Sequence, residues 1–308
     1  MIECVAALRV TLAGLVAACL TAGRECDRGT IATIGETDVA ATIACMDLQL
    51  ANKLALVTGS TAGIGFAIAR ALAAEGARVI VNGRSAEGVG EAVVRIAAAT
   101  GATVSGFAGD LSVASTATDL VRQYPGVDIL VNNMGIFEPK PFEQIPDEDW
   151  RRFFEVNVLS GVRLSRLYLP EMRQRNWGRI IFISSESAVQ IPVEMIHYGM
   201  TKTAQLAISR GLAEATAGTG ITVNAVLPGP TRSRGVEDLV GALADAQGVS
   251  IAEVESQFFK TARPTSLIKR FATPEEVASL VAYIASPLAS ATTGAALRVD
   301  GGVLKGAF

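Results

Sequence analysis

The chain has 308 residues, of which 50% are apolar and 19% are charged, and its formal net charge is −3. This mildly acidic balance, without a long lysine/arginine run, excludes the strongly basic type of nucleic-acid-binding domain. No segment reaches the ~18 unbroken apolar residues that a membrane-spanning helix needs. Thirty glycines and 6% aromatic residues favour an α/β domain with tight turns over a β-sandwich.

The cysteines and the histidine limit the metal chemistry of the chain. All four cysteines lie in the first 45 residues, and His197 is the single histidine. A disulfide framework or a cysteine-ligated metal is therefore excluded from the main body of the chain. We expect no metal site.

Residues 1–45 differ from the rest of the chain. They include an apolar stretch rich in small side chains, in which Val-Ala-Ala-Cys19 loosely resembles a lipoprotein cleavage site. A secretory signal needs a positively charged start, whereas the first eight residues include Glu3 and no Lys or Arg. Three interpretations stay open: a signal or lipid anchor, a weakly ordered extension, or translated upstream sequence with the natural start at Met46. We expect one domain over residues 46–308, located in the cytoplasm.

The first predicted βα unit carries a glycine-rich turn. Residues 53–58 form a short apolar run typical of a buried parallel strand. Gly-Ser-Thr-Ala-Gly-Ile-Gly follows at residues 59–65, and a helical pattern over residues 66–75 ends at Gly76. Glycine lets the backbone approach a pyrophosphate, and the helix N-terminus offers free N–H groups. The turn therefore predicts a dinucleotide site.

The second predicted strand, residues 77–82, ends in Gly83 and Arg84. An acidic residue at this strand end would accept hydrogen bonds from the adenosine ribose hydroxyls, and none is present. The guanidinium of Arg84 suits a 2′-phosphate and so favours NADP. The alternative is that Arg84 is a solvated loop residue.

The next elements continue the alternation of strands and helices. The pattern predicts a helix over 85–100, strands over 102–107 and 127–131, and a long helix over 146–172. One interpretation of Asp110 is the N-cap of a helix that starts at Ser112, which does not exclude a role in binding a ligand, and Asp147 is expected to cap the long helix.

The second half of the chain repeats the same units. The pattern predicts strands over 179–184, 221–226 and 295–299, and helices over 196–216 and 273–286, the last with Thr273 as N-cap and a proline at its first position. Together these elements predict one Rossmann-type domain, a doubly wound parallel sheet of about seven strands with helices on both faces.

The more polar segment of residues 230–270 carries two short helical patterns after a turn at the end of a strand. An insertion at this place predicts a substrate lid. Phe258, Phe259 and Leu267 are expected either to line an apolar pocket or to hold the lid down.

Three side chains suit proton transfer. Tyr198 and Lys202 are four residues apart and therefore share one face of a helix. An ammonium about 5 Å from a phenol, at an effective dielectric of ~20, contributes roughly 3 kcal/mol and is expected to lower the phenol pKa by about two units. Ser185 ends a predicted strand and can lie beside the phenol. His197 diverges from Tyr198 by about 100° on the helix and is expected to be a packing or rim residue.

The order of these motifs resembles the short-chain dehydrogenase/reductase family from about residue 50 to about residue 303. The resemblance rests on Gly59–Gly65, Asp110, Asn-Asn-Met-Gly135, Asn157, Ser185, Tyr198, Lys202 and Pro228-Gly229. It implies NAD(P)-dependent hydride transfer between an alcohol and a carbonyl, first of all NADPH-dependent reduction of a ketone such as a 3-oxoacyl thioester. The alternatives are an NAD-dependent alcohol, sugar or steroid dehydrogenase and a catalytically silent dinucleotide sensor.

The resemblance also implies residue roles. Tyr198 gives or takes the proton, Ser185 hydrogen-bonds the substrate oxygen, and Lys202 lowers the Tyr198 pKa and binds the nicotinamide ribose. Asn157 kinks its helix and anchors a proton relay. The implied cofactor-binding residues are Gly59, Ser60, Thr61, Gly63, Ile64, Gly65, Arg84, Asp110, Leu111, Asn133, Gly135, Tyr198, Lys202, Pro228, Gly229, Thr231 and Ser233.

Two features of the resemblance concern cofactor choice and assembly. NADP-preferring members of the family often carry a basic residue where this chain has Ala62, so NAD stays possible. Members of the family pair the helices that correspond to residues 146–172 and 196–216 across subunits, which implies a homotetramer or homodimer.

Overall fold

The computed structural model describes residues 47–307, apart from the side chains of Arg234, Asp238 and Leu239. The interpretations of residues 1–45 therefore lie outside the described residues. Residues 47–307 contain seven strands: β1 (Leu54–Val57), β2 (Arg78–Gly83), β3 (Val104–Ala108), β4 (Ile129–Asn132), β5 (Gly178–Ile183), β6 (Ile221–Pro228) and β7 (Ala296–Val299). They form one parallel sheet in the order β3-β2-β1-β4-β5-β6-β7.

Nine α-helices connect or flank the strands within the described residues. They are α1 (Gly63–Ala74), α2 (Ala86–Thr100), α3 (Ala114–Gln123), α4 (Asp147–Phe154), α5 (Ser160–Arg175), α6 (Ile196–Ala215), α7 (Arg234–Gln247), α8 (Ile251–Thr261) and α9 (Pro274–Ala285). The fold is the doubly wound parallel sheet that the sequence predicts. Among the described residues, no helix combines the length and the apolar character needed to cross a membrane.

Alternation along each strand supplies both faces of the sheet with apolar side chains. Ala55 and Val57 face the core under α1, α2 and α9, whereas Leu56 between them faces the core under α3, α5 and α6. In β5, Ile181 and Phe182 divide between the two cores in the same way. The sheet is therefore buried on both sides, as its nearly continuous apolar strands require.

The topology fixes where a ligand can bind. Strand β1 pairs with β2 on one side and β4 on the other, so successive connections leave the sheet in opposite directions at this point. A crevice opens there beyond the carboxyl ends of the strands, which is the usual ligand site of a doubly wound sheet. The glycine turn after β1 and the Asn-Asn-Met-Gly turn after β4 both lie at this edge.

The capping predictions have mixed outcomes. Thr273 caps α9 in a reciprocal capping box with Glu276, as predicted. The prediction for Asp147 is wrong, because Asp147 is the first helical residue and the cap position is Pro146. The N-cap interpretation of Asp110 is also wrong, because the cap position of α3 is Val113. The carboxylate of Asp110 accepts from the N–H and the hydroxyl of Ser112, which closes a local turn before α3 begins.

The long helix predicted over residues 146–172 is interrupted. Between α4 and α5 the chain forms a π-helical turn over Glu155–Leu159, with Asn157 at its centre. Such turns displace one backbone carbonyl from the helical hydrogen-bond ladder and often mark functional sites. The kink that the resemblance implies at Asn157 is present.

Candidate active site

The glycine turn between β1 and α1 is held in a shape that only small residues permit. Gly59 and Gly63 have φ angles of +59° and +57°, in the left-handed region. A Cβ on Gly65 would lie 2.4 Å from the carbonyl oxygen of Gly59, so Gly65 allows the helix to approach the turn. The N-terminus of α1 has no side-chain cap, which leaves its N–H groups available to an anion. The turn fits a pyrophosphate.

Asn82, at the end of β2, organises this turn. Its side-chain oxygen accepts from the N–H of Gly59 at 3.2 Å, and its side-chain nitrogen donates to the carbonyls of Phe107 and Gly109. The Ser60 hydroxyl donates to Val57 O at 2.7 Å and accepts from the N–H of Asn82. Because Ser60 is fully buried and its backbone N–H also donates to the carbonyl of Asn82, at 2.8 Å, this residue has a structural role in the turn.

Arg84 is exposed beside the glycine turn. A Cβ added to the preceding residue, Gly83, would lie 2.4 Å from Cγ2 of Thr61, so the end of β2 packs tightly on the turn. This contact explains why Gly83 is small, and it puts Arg84 next to the residues predicted to bind the dinucleotide.

Asp110 and Leu111, two of the predicted cofactor-binding residues, follow β3. Asp110 is exposed, and its carboxylate hydrogen-bonds to Ser112. The side chain of Leu111 is fully buried in the core under α3. A cofactor role for Leu111 is therefore limited to its backbone, and both assignments stay predictions.

The turn after β4 connects the glycine turn to the catalytic side chains. The Asn133 side chain donates to the carbonyls of Thr58 and Gly59, at 2.9 and 3.0 Å. Two residues later, a Cβ on Gly135 would lie 3.5 Å from both Asn157 Oδ1 and Lys202 Nζ. The backbone at Gly135 thus borders the buried polar groups of the site.

Ten of the predicted residues line a single cavity of about 480 Å³ at the carboxyl edge of the sheet. They are Ile64, Asn133, Gly135, Ser185, Tyr198, Lys202, Pro228, Gly229, Thr231 and Ser233. The cavity therefore brings Ser185, Tyr198 and Lys202 together with the turn after β6. The remaining glycine-turn residues, Arg84, Asp110, Leu111 and Asn157 do not line it.

Lys202 is held by two acceptors. Its Nζ donates to the carbonyl of Ile183 at 2.9 Å and to Oε1 of Gln205 at 3.3 Å, and the residue is 4% exposed. Burial lowers the pKa of Lys202 to about 8. At neutral pH the side chain is therefore mostly the charged ammonium, although its pKa lies only slightly above the pH of the solution.

Tyr198 does not have the lowered pKa that its spacing from Lys202 predicts. Burial raises the pKa of Tyr198, and the negative charge of Glu186 acts in the same direction. Hydrogen bonding with Ser185 and the charge of Arg263 oppose this shift without reversing it. In the protein without a nicotinamide, desolvation of the phenolate therefore dominates, and Nζ of Lys202 lies 5.6 Å from the ring centroid. Tyr198 is a protonated phenol at neutral pH.

Asn157 is tied to the backbone by its side chain. Its Oδ1 accepts from the N–H of Ile136 at 2.8 Å, and its Nδ2 donates to Ile136 O and to Thr201 Oγ1. Its main-chain carbonyl accepts from Nε2 of Gln205 at 2.6 Å. Gln205 therefore joins Lys202 to Asn157. Sequence reasoning missed Gln205, although its position three residues after Lys202 on the same helix was available as a signal.

Ser185 has a partner that sequence reasoning also missed. Its hydroxyl donates to Oε2 of Glu186 at 2.5 Å and accepts from the N–H of Ser187. The other oxygen of Glu186 accepts from Nε of Arg263 at 3.0 Å. Glu186 and Arg263 both line the cavity.

His197 is a packing residue, as expected, and it is fully buried, not at a rim. Its ring lies 4.0 Å from the ring of Phe153 and 6.0 Å from that of Trp150. Burial lowers the pKa of His197, so the imidazole is neutral at neutral pH.

Comparison with known proteins agrees with this geometry. The family model described as "Enoyl-(Acyl carrier protein) reductase" matches residues 59–304. The oxidoreductase YvaG of Bacillus subtilis, which carries the label uncharacterized, is 50% identical over 264 residues, covering 85% of this chain and 100% of the relative. The D-beta-hydroxybutyrate dehydrogenase of Cupriavidus necator is 35% identical over 258 residues, covering 82% and 98%.

The chain belongs to the short-chain dehydrogenase/reductase family. Among solved structures, L-sorbose reductase from Gluconobacter frateurii, complexed with NADPH and L-sorbose, superposes with a TM-score of 0.81 at 33% identity, covering 85% of this chain and 100% of that one. As a member of this family the protein is an NAD(P)-dependent oxidoreductase that acts on CH–OH or carbonyl groups. The Rossmann-type sheet predicted from the sequence is thereby confirmed twice, by topology and by structural similarity.

Within the family framework, the 230–270 segment forms the outer wall of the cavity. Phe258 lines the cavity and packs on Phe259 and Phe271, with ring centroids 5.1 and 5.2 Å away. Phe259 is buried in this cluster, so it holds the segment together. Leu267 is 81% exposed and does not line the cavity, so the prediction of a pocket role is wrong for Leu267.

Proposed function

We propose that the protein is an NADPH-dependent carbonyl reductase with Tyr198 as its proton donor. The observation that carries this proposal is the meeting of Tyr198, Ser185 and Lys202 in one cavity, at the sheet edge where the glycine turn fits a dinucleotide. Because burial raises the pKa of Tyr198, the phenol holds its proton at neutral pH and is ready to donate it.

The chain's own residues have separate tasks in the proposed reaction. A bound nicotinamide supplies the hydride that adds to the carbonyl carbon. Tyr198 gives its proton to the carbonyl oxygen, and the Ser185 hydroxyl turns from Glu186 to hydrogen-bond the same oxygen. Lys202 places a positive charge beside the phenolate that remains, which then regains a proton from solvent. The product is the alcohol.

Gln205 is a positioning residue in this scheme. It accepts from the Lys202 ammonium and donates to the main-chain carbonyl of Asn157 in the π-helical turn. A neutral amide does not exchange protons readily, so this connection orients the ammonium. We retain the proposed relay role of Asn157, which acts together with Gln205 through the same carbonyl.

The choice of NADP over NAD rests on Arg84. The end of β2 carries Arg84 and has no carboxylate where an NAD-binding site would bind the ribose hydroxyls. The similar L-sorbose reductase structure contains NADPH. NAD remains the alternative cofactor because Arg84 is exposed.

The substrate is a ketone, and a 3-oxoacyl thioester is our first choice within that class. The largely apolar wall formed by Phe137, Met195, Val240, Leu243 and Phe258 suits an acyl chain. The 230–270 segment is the lid that closes on it. The alternative substrates are other alcohols, sugars and steroids.

A cofactor and substrate panel tests the proposed function. Oxidation of NADPH and of NADH is followed at one wavelength with 3-oxo esters, 3-oxoacyl thioesters, keto sugars and ketosteroids. We expect turnover with a 3-oxo ester or thioester and NADPH. No turnover of any carbonyl compound or of the corresponding alcohols, with either cofactor, contradicts the proposal and favours a dinucleotide sensor.

We also propose a homotetramer or homodimer, assembled through the surfaces of α4, α5 and α6. Light scattering at micromolar concentration measures the mass in solution. A mass near that of one chain, 32.0 kDa, contradicts assembly.

A further inference from the structure

A buried ion pair joins the catalytic serine to the 230–270 segment. Nε of Arg263 lies 3.0 Å from Oε1 of Glu186, and the two side chains are 10% and 5% exposed. The residues are 77 positions apart in the chain, so the pair forms only when the segment packs against the turn after β5. Among the described residues, no other ion pair is buried on both sides to this degree.

The guanidinium of Arg263 would otherwise be a strong site for an acidic substrate. Arginine binds carboxylates through paired, charge-assisted hydrogen bonds. In this protein Glu186 already takes that place, and Glu194 lies 3.6 Å from Nη1 of Arg263. A third donor contact goes to the carbonyl of Ala262.

The charge balance of the cavity favours neutral substrates. Its charged residues, among the side chains described, are Glu186, Glu194, Lys202 and Arg263. Lys202 is held against Ile183 O and Gln205 beneath Tyr198. The part of the cavity around Arg263 therefore carries two carboxylates and one guanidinium, a net charge of −1, which repels an anion.

We propose that Glu186 and Arg263 are specificity-determining residues that make the enzyme select uncharged carbonyl compounds over carboxylates. This inference rests on the proposed reductase function and sharpens its substrate class. A 3-oxo ester or thioester meets a neutralised Arg263 and an apolar wall. A 3-oxo acid of the same carbon skeleton places its carboxylate near Glu186 and Glu194, without a free cation to balance it.

The test compares two substrates that differ in one charge. Ethyl acetoacetate and acetoacetate carry the same 3-oxo group, so the ratio of their kcat/KM values cancels any change common to both, including a disturbed Ser185. We expect the wild type to prefer the ester at least tenfold. Glu186→Gln keeps the shape of the side chain, frees the charge of Arg263, and should lower the ester-to-acid ratio by about tenfold or more, the scale of one charge-assisted hydrogen bond.

Two further variants distinguish a charge effect from a structural role of the ion pair. Arg263→Gln leaves Glu186 and Glu194 without their cation, so the ester-to-acid ratio should rise. Opposite directions for the two variants are the signature of a charge effect, since a merely structural pair would affect both substrates alike. Glu255→Gln is the matched control, because it removes a carboxylate of α8 that pairs with Arg232 outside the cavity, and its ratio should stay at the wild-type value.

The outcomes separate the two proposals. If the wild type reduces neither substrate nor any other carbonyl compound, the proposed function fails. If the wild type reduces the ester and the ratio is the same in all three variants, or if the wild type prefers the acid, the reductase function stands and the role of Glu186 and Arg263 is overturned. If Glu186→Gln does not fold, by its circular dichroism, the rise expected in Arg263→Gln decides, and an unchanged or lowered ratio there contradicts the inference.

Discussion

The two walls of the cavity are built differently. The inner wall consists of strand ends and α6, where Lys202 is almost fully buried and donates to Ile183 O and Gln205. Behind this wall, Asn157 and Gln205 are buried and hydrogen-bonded to each other. The outer wall is the 230–270 segment. It is held by one small apolar cluster, by the Arg263–Glu186 pair and by backbone hydrogen bonds from Leu267 and Ile268 to Gly301, and the side chain of Leu267 is exposed.

The two walls therefore suit different tasks. The inner wall suits proton transfer, and the outer wall suits substrate selection. Proton transfer needs groups that are fixed to within a fraction of an ångström, which a packed and hydrogen-bonded wall provides. Substrate choice needs a surface that can differ without disturbing the sheet, which a segment attached by few contacts provides. Substitutions in the inner wall should therefore affect turnover of every substrate, whereas those in the outer wall should change which substrate is used.

Apart from loss of the Tyr198 hydroxyl, the largest effect is expected from Lys202→Met. Loss of a preorganised positive charge beside the reacting oxygen should lower kcat by roughly 10²–10³-fold for every substrate and should also weaken cofactor binding. Steady-state kinetics and fluorescence titration with NADPH measure both. Lys260→Met is the control, because Lys260 is an exposed lysine of α8 in the outer wall. A similar loss in both variants would break the distinction between the walls.

A smaller effect is expected at the cofactor end from Arg84→Ala. A charge-assisted contact with the 2′-phosphate at an exposed site is worth roughly 1.5–3 kcal/mol, or a preference of about 10- to 150-fold. The ratio of kcat/KM for NADPH to that for NADH should fall by this factor. Aspartate at Gly83 is a poorer test than Arg84→Ala, because its Cβ would collide with Thr61.

Arg78→Ala is the control for this cofactor test, because Arg78 is exposed at the opposite end of the same strand. Its ratio should equal that of the wild type. An unchanged ratio in Arg84→Ala would leave Arg84 a solvated surface residue.

Burial of Lys202 in the inner wall should make the free energy of unfolding depend on pH. The pKa of Lys202 is lowered by burial from the ordinary 10.5 to about 8. Between these values the unfolded chain binds more protons than the folded protein, so this group's contribution to the free energy of unfolding rises with pH. The wild type should gain about 1–3 kcal/mol relative to Lys202→Met over this range. Urea denaturation of both proteins measures it, and parallel curves would mean that Lys202 titrates normally.

No effect is expected from removal of residues 1–45, which lie outside the described residues. A protein that begins at Met46 contains both walls of the cavity and every strand that the structure describes. Its melting temperature and kcat/KM should match those of the full chain within error. A clear loss of either would show that the first residues stabilise the domain or take part in the site.

The inner wall could largely be predicted from the sequence because its signals are local. Gly59 to Gly65 form one turn, and Tyr198 and Lys202 share one helical face, so spacing alone brings each group together. The parallel sheet follows from the alternation of strand and helix patterns. The shift of the Tyr198 pKa could not be predicted this way, since burial depends on side chains from distant parts of the chain.

The contacts missed from the sequence are long-range or ambiguous. An asparagine at a strand end is common, and the sequence does not show that Asn82 binds the glycine turn. Gln205 has a helical spacing that fits many packed helices. Glu186 and Arg263 meet across 77 residues, and nothing near either residue indicates its partner. The contacts that hold the outer wall in place therefore could not be predicted from the sequence.

The substitution Tyr198→Phe tests most directly whether the inner wall performs proton transfer. The variant keeps the ring, which packs near Phe137, and removes only the hydroxyl. We predict that kcat falls by about 10²–10⁴-fold with the best substrate of the panel, the range that general acid catalysis contributes, while NADPH affinity and melting temperature stay at wild-type values. A variant that retains a substantial fraction of kcat would contradict the assignment of Tyr198 as the proton donor.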